Sequence, residues 1–469
     1  MVSNYSTSKV QYFILSTLLF PEDVGLGIRH QLFQQSDLGR IYRSIPFKEL
    51  ADLFRGSRSS SHLGRKPFFS IEGGLGLMFL KHYSQLSDEQ LIERLNADWQ
   101  MQMFCGIQLG ITRTIRDKDI VGRWRRFFAE RMEIDQLQDI LAEHWSGFMK
   151  SKQVLMNDAT CYESYIKYPT DAKLLYDCSV WLFKQIDILC EKYGIKKPRS
   201  KYKNQKNKQV RYQMRKRKTY KHRRKRQREL LYWVDRGQEL LQSILDMGSP
   251  IHDALSTSFY DRLKVIRTIL NQQQYMYDHR INSVPGRIVS LYKPYLRPIV
   301  RGKENKRVEF GAKVHISQVD QINFIEHLSF EAFHEGVRMW KSIHKHRRRF
   351  GKCRQYAADR IYANNKNRRY CTQNKIHTNF KRKGRPSRDE DQRKKMRNIL
   401  GRARSTLLEG SFGNEKNHYL LRKIKARLEK TEIAWIFFGI HTANAVKMAK
   451  RMFPEEKVPD NYVQRRLIA

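Results

Sequence analysis

Apolar residues recur at the spacing of amphipathic helices through the first 149 residues. One predicted helical face contains Leu75, Met78, Phe79 and Tyr83, and the next contains Leu91, Ile92 and Leu95. This period predicts helices because about 3.6 residues complete one helical turn. Ser87, followed three places on by Gln90, matches a capping box and therefore predicts where a helix begins.

A further helix is predicted where apolar and cationic residues alternate near position 124. Its apolar positions are Ile120, Trp124, Phe127 and Phe128, and its cationic positions are Arg123, Arg125 and Arg126. Such a helix can pack by one face and offer the other to DNA. A solvated basic face on an ordinary packing helix is the alternative, and the pattern leaves both open.

The pattern changes at Val154, where a short apolar run ends in Asn157 and Asp158 and predicts a strand and turn. A helix is predicted from Asp171 toward Tyr193. Helical periods at 230–245 and 259–269 then predict a helical hairpin. Strand patterns resume at 298–300 and 308–316, with a turn at 302–306 between them. The hairpin, at about 177–285, is therefore predicted to interrupt a mixed α/β unit.

The last third of the chain alternates predicted helices with one short strand. A helix is expected around Ser329 to Ile343, and residues 355–358 then form a strand that would present Asp359 at its carboxyl end. A long helical region from Asp389 to Met452 contains Glu409. The fold class predicted from these patterns is α/β, a mixed sheet flanked by helices.

The charge balance indicates a polyanionic partner. The 469 residues include 91 Lys and Arg against 47 Asp and Glu, a formal net charge of +44. A compact protein carries so much like charge most easily when nucleic acid shares its surface. A ribosome-associated or membrane-surface basic protein is the alternative.

Cysteine usage and hydropathy indicate a reducing cytoplasm. The six cysteines form no CxxC pair, which argues against a zinc knuckle and against a secreted disulfide framework. The early apolar run from Tyr12 to Phe20 has about half the length that spans a bilayer and lacks a small-residue cleavage site. We therefore expect no membrane segment and no export signal.

Two further basic clusters are candidate DNA contacts. The run from Lys201 to Arg228 is interleaved with tyrosines, which favours nucleic acid over a solubility tail, although a solvated charged helix is the alternative. Its candidate contacts are Arg215, Lys216, Arg217, Arg223 and Arg224. A second cluster at 345–349 supplies the candidates Arg347 and Arg348.

Three carboxylates are the candidate catalytic residues and metal ligands: Asp158, Asp359 and Glu409. Oxygen donors suit Mg²⁺ or Mn²⁺, and two such cations held by carboxylates about 4 Å apart support in-line attack on phosphodiesters. Lys416 follows Glu409 by seven residues, which is two helical turns, so it is predicted to line the same groove and contact phosphate. Taken singly, each carboxylate also fits a turn, a cap or an exposed helical position.

Several segments resemble the DDE transposases of bacterial insertion sequences. NDATCYESYIKYPTD resembles the first-Asp strand, RPIVRGKENKRVEFGAKVHIS the central hairpin, and ADRIYANNKNRRY the second-Asp block. LLEGSFGNEKNHYLLRKIKAR is similar to the third block, whose signature is Tyr, two residues, Arg, three residues, Glu, six residues, Lys. Glu409 and Lys416 match this spacing, whereas Arg402 and Ser405 stand where the Tyr and Arg would be. Arg404, one place off, is the candidate substitute and a candidate DNA contact.

The resemblance implies a domain organisation. It gives a helical N-terminal DNA-binding domain at 1–149, an RNase H-like catalytic domain at 150–176 and 286–452, a basic helical insertion at 177–285 and a C-terminal tail at 453–469. FFSIEGGLGLMFLKHYSQLSDEQLIERLNADWQMQMFCGI is similar to the helical domain that precedes the core in many of these enzymes.

The resemblance also implies an activity. The chain would be a Mg²⁺- or Mn²⁺-dependent transposase with two ions, cutting the terminal inverted repeats of its element and joining the 3′-hydroxyls to target DNA. It would act as a homodimer at the bacterial nucleoid, without a nucleotide cofactor or a membrane. The alternatives are a metal-dependent nuclease, a non-catalytic DNA-binding protein derived from a transposase, and an RNA-binding ribosomal partner.

Overall fold

The computed structural model describes residues 21–56, 68–109, 114–247, 254–300, 308–385 and 388–454. The apolar run at 12–20, the predicted turn at 302–306 and most of the predicted tail lie outside these residues. The chain divides into two compact units. The first comprises 1–164, 313–329 and 333–469, and the second comprises 165–312 and 330–332.

The described residues up to position 146 contain eight helices of the first unit, and these helices confirm the helical prediction for this region. They are α1 (Pro21–Gln35), α2 (Asp37–Arg43), α3 (Phe47–Arg55), α4 (Ile71–Ser84), α5 (Asp88–Ala97), α6 (Trp99–Phe104), α7 (Ile120–Arg131) and α8 (Ile134–Ser146). The Ser87 side chain accepts from the Gln90 backbone N–H, and the Gln90 side chain accepts from the Ser87 N–H, so the predicted capping box is present.

Helix α4 is buried on almost every side, as expected for a helix that is apolar all round. Its glycines allow this close packing. A Cβ at Gly74 would lie 2.4 Å from the Trp124 ring of α7. Two ionisable residues of α4, Lys81 and His82, are buried as well.

The same unit contains a curled mixed sheet. Its strands are β1 (Val154–Glu163), the part of β3 (Val308–Val319) from residue 313 onward, β4 (Ile322–Ser329), β5 (Gln355–Ala358) and β6 (His377–Thr378). The order is β4-β3-β1-β5-β6; β3 and β4 are antiparallel, whereas β1, β5 and β6 are parallel. This mixed sheet with flanking helices agrees with an RNase H-like core.

Among the described residues, five further α-helices of the first unit lie between or after its later strands. They are α13 (Met339–Phe350), α14 (Asn365–Gln373), α15 (Glu390–Ala403), α16 (Glu409–His418) and α17 (Glu429–Met452). Helix α17 is buried along most of its length and packs against α4 and α7, so the N-terminal helices and the sheet share one core.

The second unit is mainly helical. It contains α9 (Asp171–Lys192), α10 (Gln205–Met214), α11 (Tyr220–Leu245), α12 (Thr257–Asp278) and β2 (Pro298–Val300), which pairs antiparallel with the first residues of β3. Its core includes Leu182, Leu230, Val234, Ile266 and Ile269. Helices α11 and α12 are those that the periodicity predicted, and β2 confirms the strand prediction at 298–300.

Three local predictions are wrong. Asp158 does not end its strand but lies in the middle of the ten-residue β1, which continues to Glu163 after its pairing with β5 ends at Asn157. Ser329 ends β4 and does not begin a helix; the helix begins at Met339. The C-terminal region predicted to be one long helical stretch is interrupted at 419–428. Leu420 has a φ of 60° there, and Ile424 forms a β-bridge to Ser164, the residue after β1.

Within the part of the chain that the structure describes, no helix combines the length and the apolar character needed to cross a membrane.

Candidate active site

One face of β1 carries Asp158, Thr160 and Tyr162, because alternate residues of a strand point to the same side. Helix α16 lies over this face. The Lys416 ammonium donates to the Thr160 hydroxyl at 2.9 Å, and the Tyr162 hydroxyl donates to Glu415. The two neighbouring residues of α16 thereby fix the helix along the strand that carries Asp158.

Strand register brings Asp158 next to Asp359. Asn157 of β1 is paired with Ala358 of β5 in a parallel ladder, so Asp158 in β1 and Asp359 just after β5 each follow this pair directly. Asp158 accepts from the Ala159 N–H at 2.8 Å, and Asp359 accepts from the Arg360 N–H at 2.6 Å. Asp359 thereby caps the short 3₁₀ turn Arg360–Tyr362 that follows β5.

Glu409 reaches the site from a π-helical turn. Residues Arg404–Leu408 form this turn between α15 and α16, and the Glu409 N–H donates to the Arg404 carbonyl, five residues earlier. Residues four apart share a face of an α-helix, but in a π-helix the backbone bond joins residues five apart. The extra residue therefore aligns Arg404 with Glu409. This supplies a physical reason why an arginine one place off the signature position lies beside the glutamate.

Arg404 joins two of the three carboxylates. One terminal nitrogen lies 2.6 Å from Asp158 Oδ2, and the other lies 2.9 Å from Glu409 Oε1. The Arg404 and Asp158 side chains are each 16% exposed, and that of Glu409 is 48% exposed. Arg404 thus connects Asp158 of β1 to the more exposed Glu409 of α16.

Burial raises the pKa of Asp158 to about 6. The positive charge of Arg404 and the Ala159 N–H oppose this rise, whereas the negative charges of Glu335 and Asp359 add to it. A buried carboxyl beside other carboxylates gains more from a nearby cation than an exposed one does. The electrostatics of Asp158 therefore suit a cation site.

Glu335 is an acidic residue near Asp158 that the sequence did not identify. Its carboxylate lies 2.7 Å from the Lys313 ammonium, which also donates to the Phe333 carbonyl at 2.8 Å. Both side chains of the ion pair are mostly buried, 13% and 14% exposed. The sequence carried no signal for this pair because the two residues lie on β3 and on a 3₁₀ turn 22 positions later.

A buried polar network holds α16 against the sheet. The Asn323 amide of β4 donates to Glu415 Oε1 at 2.6 Å and to the Ser411 hydroxyl at 2.8 Å. Burial raises the pKa of Glu415, although hydrogen bonds from Tyr162 and Asn323 oppose the rise. Buried polar groups with satisfied hydrogen bonds give a packing arrangement its specificity, so this network positions both Glu409 and Lys416.

The donor chemistry of Asp158, Asp359 and Glu409 fits a hard divalent cation, since all three offer carboxylate oxygens. Across the described ranges, however, no three acidic, His or Cys side chains lie close enough together to hold an ion. The guanidinium of Arg404 contacts two of these carboxylates instead. The three residues lie in one region of the first unit, but their side chains do not form a metal-ligand cluster.

The three arginines of α7 have different surroundings. Arg123 is exposed and pairs with Asp117. Arg125 is buried, contacts both oxygens of Asp88 at 2.8 and 3.0 Å, and lies 4.6 Å from the Trp435 ring centre. Arg126 is exposed. The exposed positions face solvent, whereas Arg125 connects elements of the core.

The candidate contacts of the second unit lie mainly at its surface: Arg215, Lys216, Arg217 and Arg223 are exposed. Arg224 is half-buried, with its guanidinium 3.5 Å from the Tyr277 ring centre. In the first unit, Arg347 donates to Asn374 at 3.0 Å, and the exposed Arg348 pairs with Asp139 at 2.8 Å.

Comparison with known families gives two matches. A model described as "Transposase DDE domain" matches residues 356–443, which include Asp359, Arg404, Glu409 and Lys416. A model described as "Transposase domain (DUF772)" matches residues 28–127, which include most of the N-terminal helices. No curated protein and no solved structure matches the chain. The two matches cover separate parts of the chain, and together they support a DDE transposase of insertion-sequence type.

Proposed function

We propose that the protein cleaves the ends of an insertion sequence and transfers the resulting 3′-hydroxyls into target DNA. The observation that carries this proposal is the convergence of acidic residues from three segments. The β1–β5 register makes Asp158 and Asp359 neighbours, and Arg404 joins Asp158 to Glu409. Phosphodiester exchange requires acidic ligands of this kind beside a phosphate-binding surface.

Asp158, Asp359 and Glu409 are the residues that would hold Mg²⁺ or Mn²⁺, and we propose two ions. A bound divalent cation would supply Lewis-acid activation of the attacking oxygen and charge stabilisation of the leaving oxygen. Lys416, whose ammonium lies at 2.9 Å from the Thr160 hydroxyl on the same strand face, would orient the phosphate. Arg404 would contact a neighbouring phosphate once its carboxylate partners are neutralised.

The chemistry is balanced without a nucleotide cofactor. In cleavage, water attacks phosphorus, the bond to the 3′-oxygen breaks, and that oxygen leaves as a 3′-hydroxyl. In strand transfer, this hydroxyl attacks a target phosphodiester, so one phosphodiester bond forms while another breaks. Each step releases one proton and takes one up.

DNA binding is assigned to several surfaces of the chain. We assign terminal-repeat binding to the helical region 1–149, through the exposed Arg123 and Arg126. The basic insertion 177–285 would follow the phosphate backbone, since its exposed cations are interleaved with tyrosines. Catalysis is assigned to 150–176 and 286–452, with a tail at 453–469.

A homodimer acting at the bacterial nucleoid completes the proposal, because two element ends must be cut and joined together. The cationic surface would bring this dimer to double-stranded DNA in the cytoplasm.

The test is a cleavage and joining assay with labelled duplexes that carry the DNA flanking the coding sequence. With Mg²⁺ or Mn²⁺, the protein should release 3′-hydroxyl ends and join them to a second duplex. Asp158→Asn should abolish both products while DNA binding stays within about twofold. Asp52→Asn, an equal charge change at an exposed helix position, is the matched control and should retain activity.

The two rival functions give different products. Cleavage without joined product would make the protein a nuclease. DNA binding without cleavage under either metal would make it a non-catalytic DNA-binding protein. Cleavage that survives Asp158→Asn would show that the catalytic carboxylates are assigned wrongly.

A further inference from the structure

The guanidinium of Arg404 already occupies carboxylate oxygens that a metal ion would need. Its two terminal nitrogens contact Asp158 at 2.6 Å and Glu409 at 2.9 Å. The Arg404–Asp158 pair is largely shielded from solvent, so salt screens it less than an exposed pair. Any cation shared by Asp158 and Glu409 would compete with this arginine.

We propose that Arg404 is an internal counter-ion that closes the catalytic site until a divalent cation displaces it. This rests on the proposed function, because it takes Asp158 and Glu409 to be metal ligands. In the metal-free protein, the single positive charge of the arginine is shared by two neighbouring carboxylates. Its release is then part of loading the site.

The π-helical turn gives a backbone reason for this role. The Glu409 N–H bonds to the Arg404 carbonyl, so the two residues are held one π turn apart with their side chains on one face. In an uninterrupted α-helix, residues five apart would face different directions. The guanidinium can leave Asp158 by rotating its own side chain, without unfolding the turn that carries Glu409.

Competition of this kind has a measurable signature. When a site must open before it binds, its apparent dissociation constant is the intrinsic value divided by the open fraction. Removing the guanidinium should therefore tighten metal binding. If Arg404 served instead as a scaffold that assembles the ligands, its removal should weaken metal binding.

The experiment measures Mn²⁺ affinity by titration followed by electron paramagnetic resonance of free Mn²⁺ at pH 8, in the absence of DNA. Arg404→Gln should bind Mn²⁺ about tenfold more tightly than the wild type, which corresponds to about 1.4 kcal/mol. Arg402→Gln removes the same charge from an exposed position two residues earlier and should change the affinity less than twofold. Melting in EDTA reports whether each variant folds.

Arg404→Lys covers the possibility that Arg404→Gln fails to fold. It keeps a positive charge beside Asp158 but loses the planar fork that joins two carboxylates, so Mn²⁺ binding should tighten about threefold. Affinity that is unchanged or weaker in the Arg404 variant that folds would overturn the counter-ion role. Equal tightening in Arg402→Gln would also overturn it, because a general field effect would then explain the result.

Asp158→Asn separates this inference from the function beneath it. If Asp158→Asn leaves Mn²⁺ binding unchanged, the assigned ligands are wrong and the proposed function fails. If Asp158→Asn abolishes Mn²⁺ binding but neither Arg404 variant tightens it, only the counter-ion role fails.

Discussion

Asp88 is a counter-ion shared by two buried cations, so replacing it should cost the first unit much of its stability. Its carboxylate lies 2.9 Å from the Lys81 ammonium and 2.8 Å from the Arg125 guanidinium. The Lys81 and Arg125 side chains are only 4% and 10% exposed, whereas that of Asp88 is 34% exposed. Asp88→Asn keeps the shape of the side chain but leaves two like charges buried without their counter-ion.

Removing one partner of a buried ion pair costs about 3–5 kcal/mol. Because a third of the Asp88 side chain reaches solvent, water can compensate in part, and we expect about 3 kcal/mol. Glu89→Gln is the matched control. Glu89 lies in the same first turn of α5, but its ion pair with Lys118 is exposed, so its loss should cost far less than the loss of Asp88.

The assay is urea unfolding followed by tryptophan fluorescence, because Trp435 lies 4.6 Å from the Arg125 guanidinium and reports on this site. A change in midpoint without a change in slope would measure stability alone. A difference of less than 1 kcal/mol between Asp88→Asn and Glu89→Gln would refute the reasoning, since the two buried cations would then have found other compensation.

The pH dependence of the Asp88 effect has a defined sign. Burial would raise the pKa of Asp88, but the charges of Arg125 and Lys81 lower it below the ordinary value of 3.8. A carboxyl whose pKa is lowered on folding stabilises the protein above its ordinary pKa, and this stabilisation is lost as the pH falls through the folded value. The stability gap between wild type and Asp88→Asn should therefore be fully present at neutral pH and shrink as the pH falls below that ordinary value.

Two further predictions test packing and DNA contact. Gly74→Ala would place its Cβ 2.4 Å from the Trp124 ring and should destabilise the protein by about 1–3 kcal/mol. Gly122→Ala has open space at its Cβ and should stabilise the protein by up to about 1 kcal/mol. Urea unfolding midpoints compare the two variants, and equal effects would contradict the packing argument. Replacing the exposed Arg126 by Ala should weaken duplex binding and lower the slope of the log binding constant against log salt concentration by about 1. Replacing the buried Arg125 by Met should lower stability instead. A fluorescence titration of DNA binding at several salt concentrations distinguishes the two variants, and the reverse pattern would refute the assignment.

Short-range patterns in the sequence were sufficient to predict most helices and several strands. The period of the apolar residues at 75–83 and at 120–128 identified α4 and α7, and the Ser87 capping box located the start of α5. These features depend on neighbours within one or two turns, so no tertiary information is needed to recognise them. The prediction of a helix from Ser329 failed because pairing with β3 extends β4 to that residue.

The roles of individual charged residues depended on contacts between distant segments. Arg123, Arg125 and Arg126 are alike in sequence, yet only Arg125 is buried, because α7 turns that position toward Asp88 and α17. The π turn that aligns Arg404 with Glu409 had no sequence signal beyond an arginine one place from the expected position. Glu335 was missed for the same reason, since it approaches Asp158 only through the fold.

The sequence by itself determined that this chain carries an α/β core, a large positive charge and three acidic residues in the contexts of a DDE transposase, because composition, period and motif spacing are local properties. Only the tertiary structure decided that Asp158 and Asp359 directly follow the last pair of a parallel ladder and that Arg404 lies between Asp158 and Glu409. Strand register and the phase of a helical turn are set by packing over the whole core, so residues 246 positions apart came together for reasons that no short segment contains.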